Sequence, residues 1–303
     1  MTYVAAIDVG GTTMKGGLVA RDGTILHLER RTTPRAEGPE HVIAAISRFA
    51  ADLTRPWDGS RTPSPGLGTL ADGTRPVAVG LAVPGLVSPT HAVFSAAFGW
   101  RDVPAAAFAD VNLPVALGHD VRSAGEAELA YGGGEAHVLY LPIGTGIAGA
   151  VVPSGALYGG AGGWAGQIGH VPVWPDGLAC GCGQAGCLAA YASGSAVAAR
   201  CGVPAAEDVV RLAARGDARA TAVWAEAVEA LALALATYTL VLDPAAVVIG
   251  GGVSQAGDAL VVPLRERLAA RLAFRPAPDV RTSRLGPLAG LLGAALLGWS
   301  AQG

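Results

Sequence analysis

The chain has 303 residues, of which 51% are hydrophobic and 15% charged, a composition that excludes a disordered chain and is long enough for two domains. Its net charge of −3 lacks the basic excess of a nucleic-acid binder. The most apolar runs, residues 231–242 and 288–299, fall short of the roughly 20 residues that a bilayer span needs. With no basic leader before the first strand, a cytoplasmic protein is expected.

In chain order, residues 4–9, 16–20 and 25–31 read as strands joined by Gly10-Gly11-Thr12 and by the hairpin signal Asp22-Gly23. Pro39 opens a helix whose apolar stripe runs through Val42, Ile43, Ile46, Phe49, Ala50 and Leu53. Residues 54–76, rich in proline and glycine, read as a surface loop. Strands follow at 77–83 and 115–117, the second passing through Gly118-His119-Asp120 into a helix near 123–131. A second cycle begins at His137, with strands 138–143 and 147–152 around Gly144-Thr145-Gly146. A helix over 220–242, a strand at 246–249, a helix over 258–273, a strand near 279–283 and a helix over 289–300 complete it. This weak duplication predicts two related α/β lobes with a cleft between them.

Three glycine turns stand at strand ends. In the first, Asp8 precedes Gly10, Gly11, Thr12 and Thr13. Glycines let backbone N–H groups approach an anion, hydroxyls add donors, and Asp8 can hold Mg2+ through water. Taken alone, an ordinary hairpin turn accounts for the segment equally well. Gly144-Thr145-Gly146 repeats the chemistry, and Gly250-Gly251-Gly252 offers bare backbone to a purine or ribose. None fits the G-x-x-x-x-G-K-[ST] pattern of a P-loop. Lys15, the only lysine in the chain, lies beside the first turn, where a compact ammonium suits a phosphate; an exposed strand residue is the plainer alternative.

His170, Cys180, Cys182 and Cys187 form the pattern H-x9-C-x-C-x4-C. Three thiolates and an imidazole predict a closed tetrahedral zinc site. Four protein ligands leave no position for water, so the Zn2+ is expected to organise a loop. The clustering suits a reducing compartment better than a disulfide framework.

Taken in order, these segments resemble the ROK family (repressor, open reading frame, kinase) over essentially the whole chain, most specifically in the cysteine motif. Asp8–Thr12 and Ile143–Gly146 resemble its two phosphate motifs, Val83-Pro84-Gly85 its sugar-domain turn, and Gly118-His119-Asp120 the segment with its Asn-Asp pair. Gln167-Ile168-Gly169-His170 resembles its Glu-x-Gly-His motif. The resemblance implies an α/β protein of two ribonuclease-H-like lobes, the hexokinase/actin-like ATPase fold. The small lobe would be 1–117 with 289–303 and the large lobe 118–288 with the zinc loop, often as a homodimer. It further implies a sugar kinase using ATP and Mg2+, with the nucleotide on Asp8, Gly10, Gly11, Thr12, Thr13, Lys15, Gly144, Thr145, Gly146, Gly250 and Gly251. Asp120 would be the general base on a sugar hydroxyl, commonly that on carbon 6, with Gly85, His119, Gln167 and His170 holding the sugar. His170 would serve both zinc and sugar. On the residues alone, Asp120 fits a helix N-cap equally well.

Four positions depart from the family's pattern. His119 stands for Asn, Gln167 for Glu, Ala189 for the Glu after Gly-Cys-Leu, and Ala97 for a common Asn. The groups for phosphoryl transfer are kept while those that read the sugar are changed, which predicts a modified or amino hexose. Kanosamine is one candidate, and polyphosphate is an alternative donor. A non-catalytic sugar sensor is the competing reading. A repressor is disfavoured, since the first strand near Tyr3 leaves no room for a preceding helix-turn-helix.

Overall fold

The computed structural model describes residues 2–59, 70–71, 73–95 and 97–302. Residues 1–131 with 288–303 form one compact unit and residues 132–287 a second. The first unit runs β1 (Tyr3–Val9), β2 (Thr13–Ala20), β3 (Ile25–Thr32), α1 (Pro39–Thr54), β4 (Val79–Val83), β5 (Leu86–Val87), β6 (His91–Ser95), β7 (Trp100–Pro104), the single turn α2 (Ala105–Phe108), β8 (Val115–His119) and α3 (Asp120–Tyr131). The second holds β9 (Val138–Pro142), β10 (Ala150–Val152), α4 (Leu188–Ala192), α5 (Gly194–Cys201), α6 (Ala206–Ala214), α7 (Ala218–Leu242), β11 (Ala246–Gly250), α8 (Asp258–Arg271) and β12 (Asp279–Thr282). The terminal helix α9 (Ala289–Ser300) belongs to the first unit.

The first sheet has the order β3-β2-β1-β4-β8, the second β10-β9-β11-β12. In each, a β-hairpin is extended by two parallel strands, which is the physical content of the duplication seen in the sequence. Parallel strands end on the same edge of a sheet, so the C-terminal ends of β1, β4 and β8 lie side by side, as do those of β9, β11 and β12.

The first sheet is buried on both faces, as its unbroken apolar run requires. Strand side chains alternate between faces. Tyr3, Ala5, Ile7 and Val9 join the core formed with Val42, Ile46, Phe49 and Leu53 of α1. On the other face α9 approaches at backbone distance: a Cβ on Gly80 of β4 would lie 1.8 Å from the carbonyl oxygen of Ala294, and one on Gly293 would lie 2.2 Å from the Ser123 backbone of α3. Small residues at these crossings are obligatory. This packing also explains where the first unit ends. The sequence places the boundary after Leu117, whereas α3 packs along α9 and carries the unit through Tyr131.

The second unit is built around α7, whose N-cap Asp217 accepts a hydrogen bond from the Ala220 amide at 2.8 Å. At 25 residues, with an 18-residue stretch of mean hydropathy 1.6, α7 is long and apolar enough to cross a membrane by length and composition, a property that the apolar run 231–242, its C-terminal half, does not reveal. Its face of Val223, Ala227, Ala230, Leu231, Ala234 and Leu235 is buried in the core of the unit, as expected of a core helix.

Three features differ from expectation. The small sheet β5-β6-β7 and helices α4 to α6 were not anticipated, and β10 begins at Ala150, because Ile147 forms only an isolated bridge with Ile143. Within the proline-rich segment 54–76, residues 60–69 and 72 lie outside the described residues. Its flanks are anchored by buried Trp57, whose amide donates to the Thr74 carbonyl at 2.9 Å.

Gly80→Ala is expected to lower unfolding stability by about 3 kcal/mol or to prevent folding, since backbone must move to admit the methyl group. Urea denaturation reads this directly; a loss below about 0.5 kcal/mol would show that α9 yields freely.

Candidate active site and metal cluster

At the strand ends of the first unit, Asp8 is the penultimate residue of β1 and pairs across the hairpin with Lys15. Lys15 Nζ donates to Asp8 Oδ2 at 3.2 Å. The intervening turn is closed by the Gly10 amide donating to the Thr13 carbonyl at 3.1 Å, and Thr33 Oγ1 donates to the Gly10 carbonyl at 2.8 Å. Gly11 and Thr13 are half-buried and Thr12 is exposed. A Cβ on Gly290, in the first turn of α9, would lie 2.3 Å from Asp8 Oδ2, so the carboxylate is roofed by helix backbone. Gly290 was not identified from the sequence: the resemblance assigns 289–303 to the lobe of β1, but not which helix residue meets Asp8. Burial raises the Asp8 pKa, Lys15 opposes it, and the negative charge of Asp120 adds to the rise.

Asp120 opens α3 immediately after β8. Its Oδ1 accepts from the Val121 amide at 2.8 Å; among the described residues no hydrogen bond engages Oδ2. The preceding His119 is largely buried, and its Nδ1 accepts from the amides of Val121 at 3.2 Å and Arg122 at 3.4 Å. The capping role that the sequence offered to Asp120 therefore falls chiefly to His119. Burial lowers the His119 pKa, with Asp120 opposing and Arg122 reinforcing. Gly85, beyond the end of β4, has φ +116°, and a Cβ there would lie 2.2 Å from the Phe94 carbonyl oxygen. Only glycine suits that turn.

In the second unit the other two glycine turns are joined. The Ile143 amide donates to the Gly250 carbonyl at 2.9 Å, and the Val253 amide to the Ile143 carbonyl at 3.0 Å. Gly251, at φ +76°, packs so closely on Ile143 that a Cβ would lie 2.4 Å from its carbonyl oxygen. Gly144 accepts from the Gly194 amide at 2.7 Å, and Ser195 Oγ donates to the Thr145 carbonyl at 2.5 Å. A Cβ on Gly144 or Gly146 would meet nothing within 4 Å, so these backbones face open space. Ser193, N-cap of α5, and Ser195 brace this surface and were missed; only a helix reading of 188–214 would have exposed them.

Gln167 is exposed and precedes the turn Ile168–His170, which is held by the Gly149 amide donating to the Gly166 carbonyl at 2.7 Å and by Tyr238 Oη donating to the Ile168 carbonyl at 2.5 Å. Ala189 lies half-buried on α4 against the core of the unit. Ala97 is half-buried before the sharp turn at Gly99, whose φ is +74°.

The donor atoms of His170, Cys180, Cys182 and Cys187 all lie within 4.8 Å of one another. Cys182 and Cys187 Sγ are 3.7 Å apart, and Cys180 Sγ is 3.8 Å from His170 Nδ1. A disulfide needs about 2.05 Å, whereas the edge of a tetrahedron with zinc–sulfur bonds of about 2.3 Å is about 3.8 Å. The set fits zinc. Burial and the adjoining sulfurs push the Cys187 thiol up to about 12, while a backbone hydrogen bond from Gln184 lowers that of Cys182. With Nδ1 turned to the sulfurs, Nε2 of His170 is left for another partner. The loop is anchored by Tyr191, whose hydroxyl accepts from the Leu178 amide at 2.6 Å and whose ring meets Trp174 at 4.5 Å.

The ROK family model matches residues 67–300. A glucokinase of Streptomyces coelicolor is 32% identical over 340 residues, covering 97% of each chain. An N-acetylmannosamine kinase of Escherichia coli is 32% identical over 302 residues, covering 96% of this chain and 97% of its own. The crystal structure of a ROK family glucokinase from Streptomyces griseus, in complex with glucose and AMPPNP, superimposes with a TM-score of 0.81 at 28% identity, covering 98% of this chain and 99% of that one. Fold and relatives together define a sugar phosphotransferase with the two-lobed actin-like ATPase fold. The chain belongs to the ROK family.

The raised pKa of Asp8 fixes the sign of a pH effect. Between the ordinary carboxylate value and the raised one, the native state binds more protons than the unfolded chain. Stability from this group is then greatest below the ordinary value and falls as pH rises through the raised one. Asp8→Asn is expected to flatten that slope and raise Tm at neutral pH without ligands. A lower Tm in thermal scans would mean that the Lys15 pairing outweighs the burial cost.

Proposed function

We propose that the protein transfers the γ-phosphoryl group of ATP to a hydroxyl of a hexose or modified hexose, at carbon 6, with Asp120 as general base. The observation that carries this reading is the division of labour within one carboxylate: Oδ1 is held by the Val121 amide while Oδ2 is unengaged among the described residues. A base needs a fixed aim and a free lone pair. With the γ-phosphorus in line, Oδ2 accepts the hydroxyl proton, the sugar oxygen bonds to phosphorus, and the bond to the β-phosphate oxygen breaks to release ADP.

Asp8 would hold Mg2+ through water, which would neutralise phosphate charge. Gly10 to Thr13 and Lys15 offer donors to phosphate oxygens, as do the open backbones of Gly144 to Gly146 in the second unit. Gly250 and Gly251 suit the nucleoside. Zn2+ held by His170, Cys180, Cys182 and Cys187 would tie the 171–190 loop to the imidazole whose Nε2 meets the sugar. Gln167 and Ala189, which carry no charge where the family's Glu residues stand, favour a sugar other than plain glucose, with an amino hexose the first to try.

A panel of hexoses and amino hexoses with ATP and Mg2+, read by ADP release and product mass, is expected to give turnover with at least one. Asp120→Asn should lower kcat about a thousandfold, within the range of general-base catalysis. Sugar binding without ADP release would instead support a non-catalytic sensor. One zinc per chain is expected by elemental analysis. Its removal should raise the KM for sugar more than that for ATP, and equal rises would count against a zinc loop dedicated to the sugar.

A further inference from the structure

At the junction of β8 and α3 an imidazole nitrogen stands where a helix ordinarily receives a capping oxygen. The first-turn amides of Val121 and Arg122 both point at His119 Nδ1, at 3.2 and 3.4 Å. A nitrogen that accepts N–H donors presents its lone pair to them, which places the proton of the neutral ring on Nε2. Nδ1 also lies 3.2 Å from Asp120 Oδ1, and the two share the Val121 N–H.

The charged groups acting on the ring are Asp120, which favours its protonation, and Arg122, which opposes it; burial opposes it most. Neutrality matters because a proton on Nδ1 would displace both amides and draw Asp120 Oδ1 into an ion pair. The start of α3 would then lose its cap, and the carboxylate its orientation.

We propose that His119 is a positioning residue for Asp120: Nδ1 caps α3 and, through the shared Val121 N–H, fixes Oδ1 so that Oδ2 alone is presented for proton transfer. This rests on the kinase reading above. Among the described residues no hydrogen bond engages Nε2, so the neutral ring keeps an N–H donor at the strand ends.

Two variants and one spectrum test it. His119→Ala removes the acceptor, whereas His119→Asn supplies Oδ1 at a similar reach, a side chain well suited to a helix N-terminus. With rates referred to active-site concentration, His119→Ala is expected to lower kcat about tenfold or more, with a smaller change in sugar KM, and His119→Asn to recover most of that loss. Unchanged kcat in His119→Ala, or His119→Asn as slow as His119→Ala, overturns the proposal. Independently of turnover and of how the variants fold, nitrogen-15 NMR of the wild-type imidazole should show Nε2 protonated and Nδ1 bare at neutral pH. A proton on Nδ1 overturns the cap. A wild type inert toward every sugar would sink the kinase reading, while the spectrum would still decide the cap.

Discussion

A carboxylate that is to remove a proton must be held without being consumed, and, on the function proposed for Asp120, the few atoms where β8 turns into α3 meet that requirement. Val121 N–H is shared between Asp120 Oδ1 and His119 Nδ1, Arg122 N–H also donates to His119, and Oδ2 remains unengaged among the described residues. Helix starts always present amides in need of acceptors. Had Asp120 supplied the whole cap, its chemistry would have been spent on structure. The imidazole relieves it of that duty.

The surrounding fold serves the same end. β1, β4 and β8 run parallel and finish on one edge, so Asp8, Gly85 and Asp120 arrive together without any loop having to reach. The terminal helix locks this arrangement from behind. Its glycines let it lie on Gly80 and against the Ser123 backbone, and its first turn roofs the Asp8 carboxylate. The same close packing that stabilises the sheet thus desolvates Asp8, leaving Lys15 to offset the burial and Asp120 to aggravate it. An added cation would relieve two neighbouring negative charges at once, which is a physical reason for Mg2+ to be welcome there.

Much of this was legible in the sequence. Period-2 and period-3.6 patterns located the principal strands and helices, because each buries a regular face. The H-x9-C-x-C-x4-C spacing located the Cys3His cluster, because three thiols and an imidazole so close in sequence on a glycine-rich loop are readily folded together. What escaped depended on contacts distant along the chain. Gly290 is an ordinary helix residue until α9 is laid on β1, and the boundary after Tyr131 follows from α3 meeting α9. β5 to β7 are short and partly exposed, with Arg101 and Asp102 on the surface, so they carry no clear alternation. The cap at His119 was invisible because aspartate is the better-known capping residue, and propensity pointed one position too far along.

The account turns on whether Asp120 Oδ2 addresses the acceptor sugar. A crystal structure with a turned-over sugar and a non-hydrolysable ATP analogue tests this most directly. The account predicts Oδ2 within about 3 Å of the hydroxyl that becomes phosphorylated, with Oδ1 still on the Val121 amide. A sugar whose reactive hydroxyl meets another group, with both Asp120 oxygens bound to backbone amides, would contradict it.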